Sequence, residues 1–183
     1  MTDRRQFLQA AAAAVPAMTA TPLAVAAQAG AAAGSATGTA RVPPGVSPAD
    51  FNRVLAAWRD TVGGQWVFTA PEDVALYRDA YSPYWDEPEE RMASAAVAPS
   101  TLEEVQAIVR VANQYRVPLY PISTGRNLAY GGSAPVYSGS VVLDLKRMNR
   151  VLEVDERNAC ALVEPGVSYF DLYEHITKAG LDV

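Results

Sequence analysis

The sequence contains one cysteine and one histidine in 183 residues, and each scarcity closes a class of function. Because Cys160 is alone, no disulfide can form within the chain. Its place in the apolar run from Ala159 to Val163 predicts a buried small hydrophobe. His175 has no second histidine and no carboxylate cluster beside it at ligand spacing, which excludes a zinc-type centre and gives no support to a catalytic triad. Basic clusters are missing as well. The formal charge is −5, of which residues 1–26 contribute +1 through Arg4, Arg5 and Asp3, so the remainder is −6 and a poor partner for nucleic acid. The alanine-rich start is too short in apolar length, and too interrupted by Pro16 and Pro22, to span a membrane. Gly125, Gly131 and Gly132 do not fit G-x-G-x-x-G, and no Walker-type Gly-Lys-Ser/Thr follows them.

What is present begins with an address. Arg4-Arg5-Gln6-Phe7-Leu8, the mild apolar run Ala10 to Val15 and the small residues Ala24-Val25-Ala26 fit a twin-arginine signal over 1–26, and so export to a bacterial periplasm. Residues 27–46 are rich in alanine, glycine, serine and threonine and close on Val42-Pro43-Pro44-Gly45, the composition of a flexible linker. A helical segment is expected over 47–92. Ser47 is its N-cap, Pro48 its first residue, and Phe51, Val54, Leu55, Trp58 and Val62 fall on one face before Gly63-Gly64. A short helix over 72–77 follows Pro71. The aromatic stretch Tyr81-Ser82-Pro83-Tyr84-Trp85 reads as a packing surface in preference to the wall of a substrate route.

From Ala95 the pattern becomes regular. A strand over 95–99 leads to a capping box at Ser100 or Thr101 and a helix to about Tyr115, with Val105, Ile108, Val109 and Ala112 as its buried stripe. Apolar runs at 117–120, 141–145, 151–154 and 159–163 read as strands. The expected class is α+β, with a helix over one face of a sheet. Between the strands at 117–120 and 141–145 lies Pro121-Ile122-Ser123-Thr124-Gly125-Arg126-Asn127-Leu128-Ala129-Tyr130-Gly131-Gly132-Ser133-Ala134-Pro135. Its glycines free the backbone to approach a ligand, Ser123, Thr124 and Asn127 add small polar groups, and Arg126 adds a positive charge: an anion cradle. The same residues also fit a plain polar loop. Pro165-Gly166, after the last strand, fits either a turn or a close backbone approach to a ligand. Ser168 and Asp171 then cap a last helix carrying Phe170, Tyr173 and Ile176.

The cradle string, with Ser-Gly-Ser-Val-Val-Leu-Asp-Leu and Arg-Met-Asn-Arg-Val-Leu-Glu-Val after it, resembles the FAD-dependent phenol oxidoreductases: 4-cresol dehydrogenase, eugenol hydroxylase and vanillyl-alcohol oxidase. The resemblance runs from about Ala95 to the end. It implies the first part of a two-subdomain FAD-binding domain of the vanillyl-alcohol oxidase type, partial over 93–183, in a chain that looks like an amino-terminal fragment. It also implies FAD held by Pro121, Ile122, Ser123, Thr124, Gly125, Arg126, Asn127, Leu128, Tyr130, Gly131, Gly132, Pro165 and Gly166. The cradle has no histidine to tether flavin. The implied reaction is oxidation of a para-alkylphenol or para-hydroxybenzyl alcohol by hydride transfer to flavin. Its implied partners are a phenolic substrate, an acceptor such as a cytochrome c, and further copies of an oligomeric full-length form. A FAD-linked hydroxy-acid dehydrogenase and an exported binding module without catalysis are the alternatives. No residue is assigned a catalytic role.

Overall fold

The computed structural model describes residues 41–125 and 132–181. Helix α1, Pro48–Val62, starts as its sequence dictates: the Ser47 side chain accepts from the Asp50 amide, and Pro48 stands where no intrahelical donor is needed. Phe51, Val54, Leu55, Trp58 and Val62 are its buried residues, the face given by the periodicity. Strand β1, Val67–Phe68, follows a 3-10 turn, and α2, Pro71–Val74, continues into a second 3-10 turn through Tyr77. Then come β2 (Ala95–Val97), α3 (Leu102–Tyr115), β3 (Leu119–Ile122), β4 (Val141–Asp144), β5 (Val151–Asp155), β6 (Cys160–Val163) and α4 (Tyr169–Ala179).

Four strands form one sheet in the order β1-β2-β4-β3. Strands β2, β4 and β3 are parallel, with Ala95 opposite Val141 and Leu119 opposite Val141 on the other side; β1 joins β2 antiparallel. Every residue of β4 is buried, as expected of a central parallel strand covered on both faces. On one face α1 and α3 bury Trp58, Phe51 and Ile108 against Val97, Val141 and Leu143. The Trp58 indole donates to the Ile108 carbonyl at 3.3 Å, so its one polar atom is satisfied inside this core. The other face packs Val74 and Tyr77 against Ala96, Ile122 and Val142. Strands β5 and β6 make a separate antiparallel hairpin, joined to α4 by Glu164–Ser168.

Several expectations change. The sheet is covered by two helices on one face, not one, because α1 shares the core of α3. The strand expected at 117–120 lies at 119–122, since Val117 and Pro118 are used to turn the chain out of α3 after Arg116, whose φ is 56°. Val109 is 36% exposed; it sits at the margin of the α3 stripe, whose buried residues are Ile108 and Ala112. Cys160 is exposed, not buried: β6 pairs only with β5, and neither face of that two-stranded hairpin is covered at its position. The end of the expected linker is packed, with Pro43 fully buried and Val42 and Val46 against the core. Tyr81, Tyr84 and Trp85 are exposed, Trp85 stacking on the Arg78 guanidinium at 3.7 Å.

Candidate functional site

In open sheets built from parallel strands, ligands bind beyond the carboxyl ends of the strands. Here the chain leaves β3 at Ile122 and enters the glycine-rich cradle, while β4 ends beside it at Asp144. Of the cradle, Pro121 to Gly125 and Gly132 are described; Arg126, Asn127, Leu128, Tyr130 and Gly131 lie outside the described residues. Ile122 points into the second core and serves the fold, and Pro121 is exposed on β3. Ser123 donates its hydroxyl to the Pro165 carbonyl, tying the cradle to the segment after β6. Gly125 has φ +66°, and a Cβ there would come within 2.3 Å of the Ser133 hydroxyl, which itself donates to the Gly125 carbonyl at 3.4 Å. Gly132 is less constrained, a Cβ meeting only Asp79 at 3.9 Å.

Gly166 is a contact glycine of another kind. A Cβ on it would lie 2.5, 2.7 and 2.8 Å from the carbonyl oxygens of Leu145, Lys146 and Met148. Its amide donates to the Met148 carbonyl at 2.7 Å. The Pro165-Gly166 segment is therefore pressed onto the turn after β4, with no room for a side chain between them. Arg150 and Glu164 fasten the same junction. The Glu164 carboxylate receives the Arg150 amide at 2.8 Å and its guanidinium at 2.7 and 3.0 Å, and these bonds hold its pKa below the ordinary carboxylate range.

These contacts place both sequence motifs on one cleft of about 300 Å³, lined by Thr124, Lys146, Asn149, Gly166, Ser168, Phe170 and Asp171. Ser168 and Asp171 close a reciprocal capping box at the start of α4. Larger hollows lie elsewhere: about 360 Å³ around Arg78, Glu90 and Ser94 at the amino end of β2, and about 400 Å³ between Tyr84 and Tyr120. The smaller cleft is the candidate because hydroxyl, amide and ammonium donors converge on it at the carboxyl ends of the strands. That donor set fits an anionic, hydroxyl-rich ligand such as a flavin dinucleotide. Among the described residues there is no cluster able to hold a metal ion.

Beneath the cleft is a polar group that the sequence did not single out. Asp144, 5% exposed, accepts from the Tyr77 hydroxyl at 2.8 Å, the Lys146 amide at 3.0 Å and the Lys146 ammonium at 3.3 Å. Burial first, and then the charge of Asp144, push the Tyr77 phenol well above its ordinary range, so it remains a donor. The only local signal was an aspartate closing an apolar strand; its partner is 67 positions earlier in the chain.

Comparison with known proteins agrees with this geometry. Residues 93–183 match a family described as FAD binding domain. The flavoprotein subunit of 4-cresol dehydrogenase [hydroxylating] from Pseudomonas putida is 37% identical over 142 residues, 78% of this chain and 27% of that one. The glycolate oxidase subunit GlcD of Bacillus subtilis (strain 168) is 39% identical over 90 residues, 49% of this chain and 19% of that one. Among solved structures, p-cresol methylhydroxylase with substrate bound has a TM-score of 0.72 at 37% identity, covering 76% of this chain and 27% of that one. The 4-ethylphenol oxidase of Gulosibacter chungangensis gives 0.71 at 42% identity, with 76% and 27% covered. The chain thus spans about a quarter of the length of the cresol dehydrogenase it matches. With the parallel strands, the cradle at their carboxyl ends and these relatives in agreement, residues 93–183 belong to the FAD binding domain family, and the cofactor of that domain is FAD.

Proposed function

We propose that the complete protein oxidises para-alkylphenols or para-hydroxybenzyl alcohols. One observation carries the choice of substrate. The match to 4-cresol dehydrogenase runs over 142 residues, more than the FAD binding domain itself occupies here, whereas glycolate oxidase and D-2-hydroxyglutarate dehydrogenase match over 90 and 103. Similarity to the phenol enzyme therefore reaches the segment before residue 93, and similarity to these two hydroxy-acid enzymes runs over fewer residues.

Bound FAD would accept the hydride of the benzylic carbon. This chain's own task is to hold it. Ser123 and Pro165 keep the two motifs in register, Thr124 and Asn149 offer donors, and Gly125 and Gly166 let backbone pass where a side chain would not fit. Arg126, Asn127, Leu128, Tyr130, Gly131 and Gly132 complete the cradle by their place in the sequence. Export by the signal over 1–26 supports a dehydrogenase that passes electrons to a redox protein such as a cytochrome c in the periplasm.

The test is a substrate screen on the purified product of the complete gene with a dye acceptor. Reduction of the dye by 4-cresol or 4-ethylphenol, and not by glycolate or 2-hydroxyglutarate, is expected; the reverse pattern sinks the phenol assignment. Recovery of the protein in the cytoplasm after cell fractionation would refute the export proposal.

A further inference from the structure

Three arginines and lysines follow β4 within a few residues, and their engagements differ. Arg147 donates to the Ala98 carbonyl at 2.6 Å and stacks on Trp66 at 3.8 Å, so its guanidinium faces the end of β2. The Arg150 guanidinium is bonded to Glu164 through two nitrogens. Lys146 alone of the three lines the cleft shared by Thr124 and Gly166. It is one of two lysines in the sequence, and the other, Lys178, pairs with Glu174 on α4 at 2.6 Å.

An ammonium has three donors. One reaches Asp144 at 3.3 Å and the ammonium lies 5.4 Å from the centre of the Tyr77 ring, while the side chain remains 47% exposed, so it keeps donors for a further ligand. Asp144 is itself fixed by Tyr77 and by the Lys146 amide, so its ion pair with the ammonium also sets where the lysine is held. The diphosphate is the anionic part of FAD, and Thr124, on the same cleft, leads into Gly125, whose φ of +66° leaves the backbone free of a side chain there.

We propose that Lys146 binds the FAD diphosphate, with Asp144 and Tyr77 as the positioning residues that hold it in place. This rests on the assignment of the cleft to FAD. The experiment measures binding of FAD, ADP and riboflavin to apoprotein from the complete gene, expressed in a riboflavin-starved host. Lys146→Met should weaken FAD and ADP by roughly tenfold or more, the range of a charge-assisted hydrogen bond, and leave riboflavin unchanged. Lys146→Arg should recover most of the loss, and added salt should narrow the gap between wild type and Lys146→Met. Asp144→Asn and Tyr77→Phe should each weaken FAD in the wild-type background and add little to Lys146→Met, because they act through the same group. Unchanged FAD and ADP binding by Lys146→Met, or an equal loss for riboflavin, overturns the role of the lysine while leaving the cleft assigned. A wild type that takes up neither FAD nor ADP overturns both.

Discussion

Substituting Gly166 by alanine tests whether the two motifs are held together as the structure shows. The new methyl would stand 2.5 to 2.8 Å from three backbone carbonyl oxygens, against an ordinary contact of about 3.4 Å or more. None of those oxygens belongs to a rotatable side chain, so the 165–167 segment or the 145–148 turn must move by several tenths of an ångström. Forcing a methyl into such packing costs about 1–3 kcal/mol. The 2.7 Å bond from Gly166 to Met148 and the Ser123–Pro165 bond lie on the segment that shifts, and losing one adds about 1 kcal/mol. A total of about 2–4 kcal/mol corresponds to a fall in Tm of roughly 4–16 °C for a domain of this size. Gly64→Ala is the control, since nothing lies within 4 Å of the position its Cβ would take. The assay is a calorimetric or dye-monitored melt of the complete protein, without and with excess FAD. A Gly166→Ala protein that melts within a degree of Gly64→Ala would refute the close approach, and with it the docking of Pro165-Gly166 on the turn after β4.

Other expectations follow from the same geometry. Gly125→Ala should lower FAD affinity and stability together, because its φ of +66° is strained for alanine and the Ser133 hydroxyl must vacate its bond to the Gly125 carbonyl; an unchanged Kd and melt would contradict this. Trp58→Ala should cost about 3–5 kcal/mol in chemical denaturation, as it empties the centre of the core under α1 and α3. Glu164 and Glu90 are held below their ordinary pKa by Arg150 and Arg78, so the stability they give is present above the ordinary carboxylate range and is lost as pH falls through their lowered values. Glu164→Gln should therefore show a shallower decline of Tm on acidification than wild type, and parallel curves would rule out that linkage.

Much of this was legible in the residues. The face of α1 and the caps at Ser47 and Ser168 are local matters, settled within a few positions by spacing and side-chain chemistry. Thr101 caps α3, which selects the later of the two expected registers, and the box is only half closed because the Glu104 carboxylate goes to the amide and hydroxyl of Ser100. The misjudged positions depend on what lies across from them. Cys160 sits in an apolar run that reads as core, but its strand has a single partner and an uncovered face. The Asp144 mount could not be found by spacing, since Tyr77 reaches it from 67 positions earlier in the chain. Gly166 was legible as special, and the structure supplies the reason: its constraint is imposed by three carbonyls of the chain itself.

The cradle also does the work of a connection. Strands β3 and β4 are parallel neighbours, and residues 123–140 carry the chain back from the end of one to the start of the other with no helix among the described ones. Parallel strands are usually returned by a packed helix, which buries its own apolar face and needs no ligand to settle. Here the return path runs through the cofactor cradle, so a ligand held at Thr124 bears directly on the end of the edge strand β3. Amide exchange along Leu119–Ile122 should accordingly slow when FAD binds, while the interior strand β4 exchanges slowly in either state. Cofactor occupancy would then be written into the protection of a sheet edge, and loss of flavin would expose that edge to pairing with another chain.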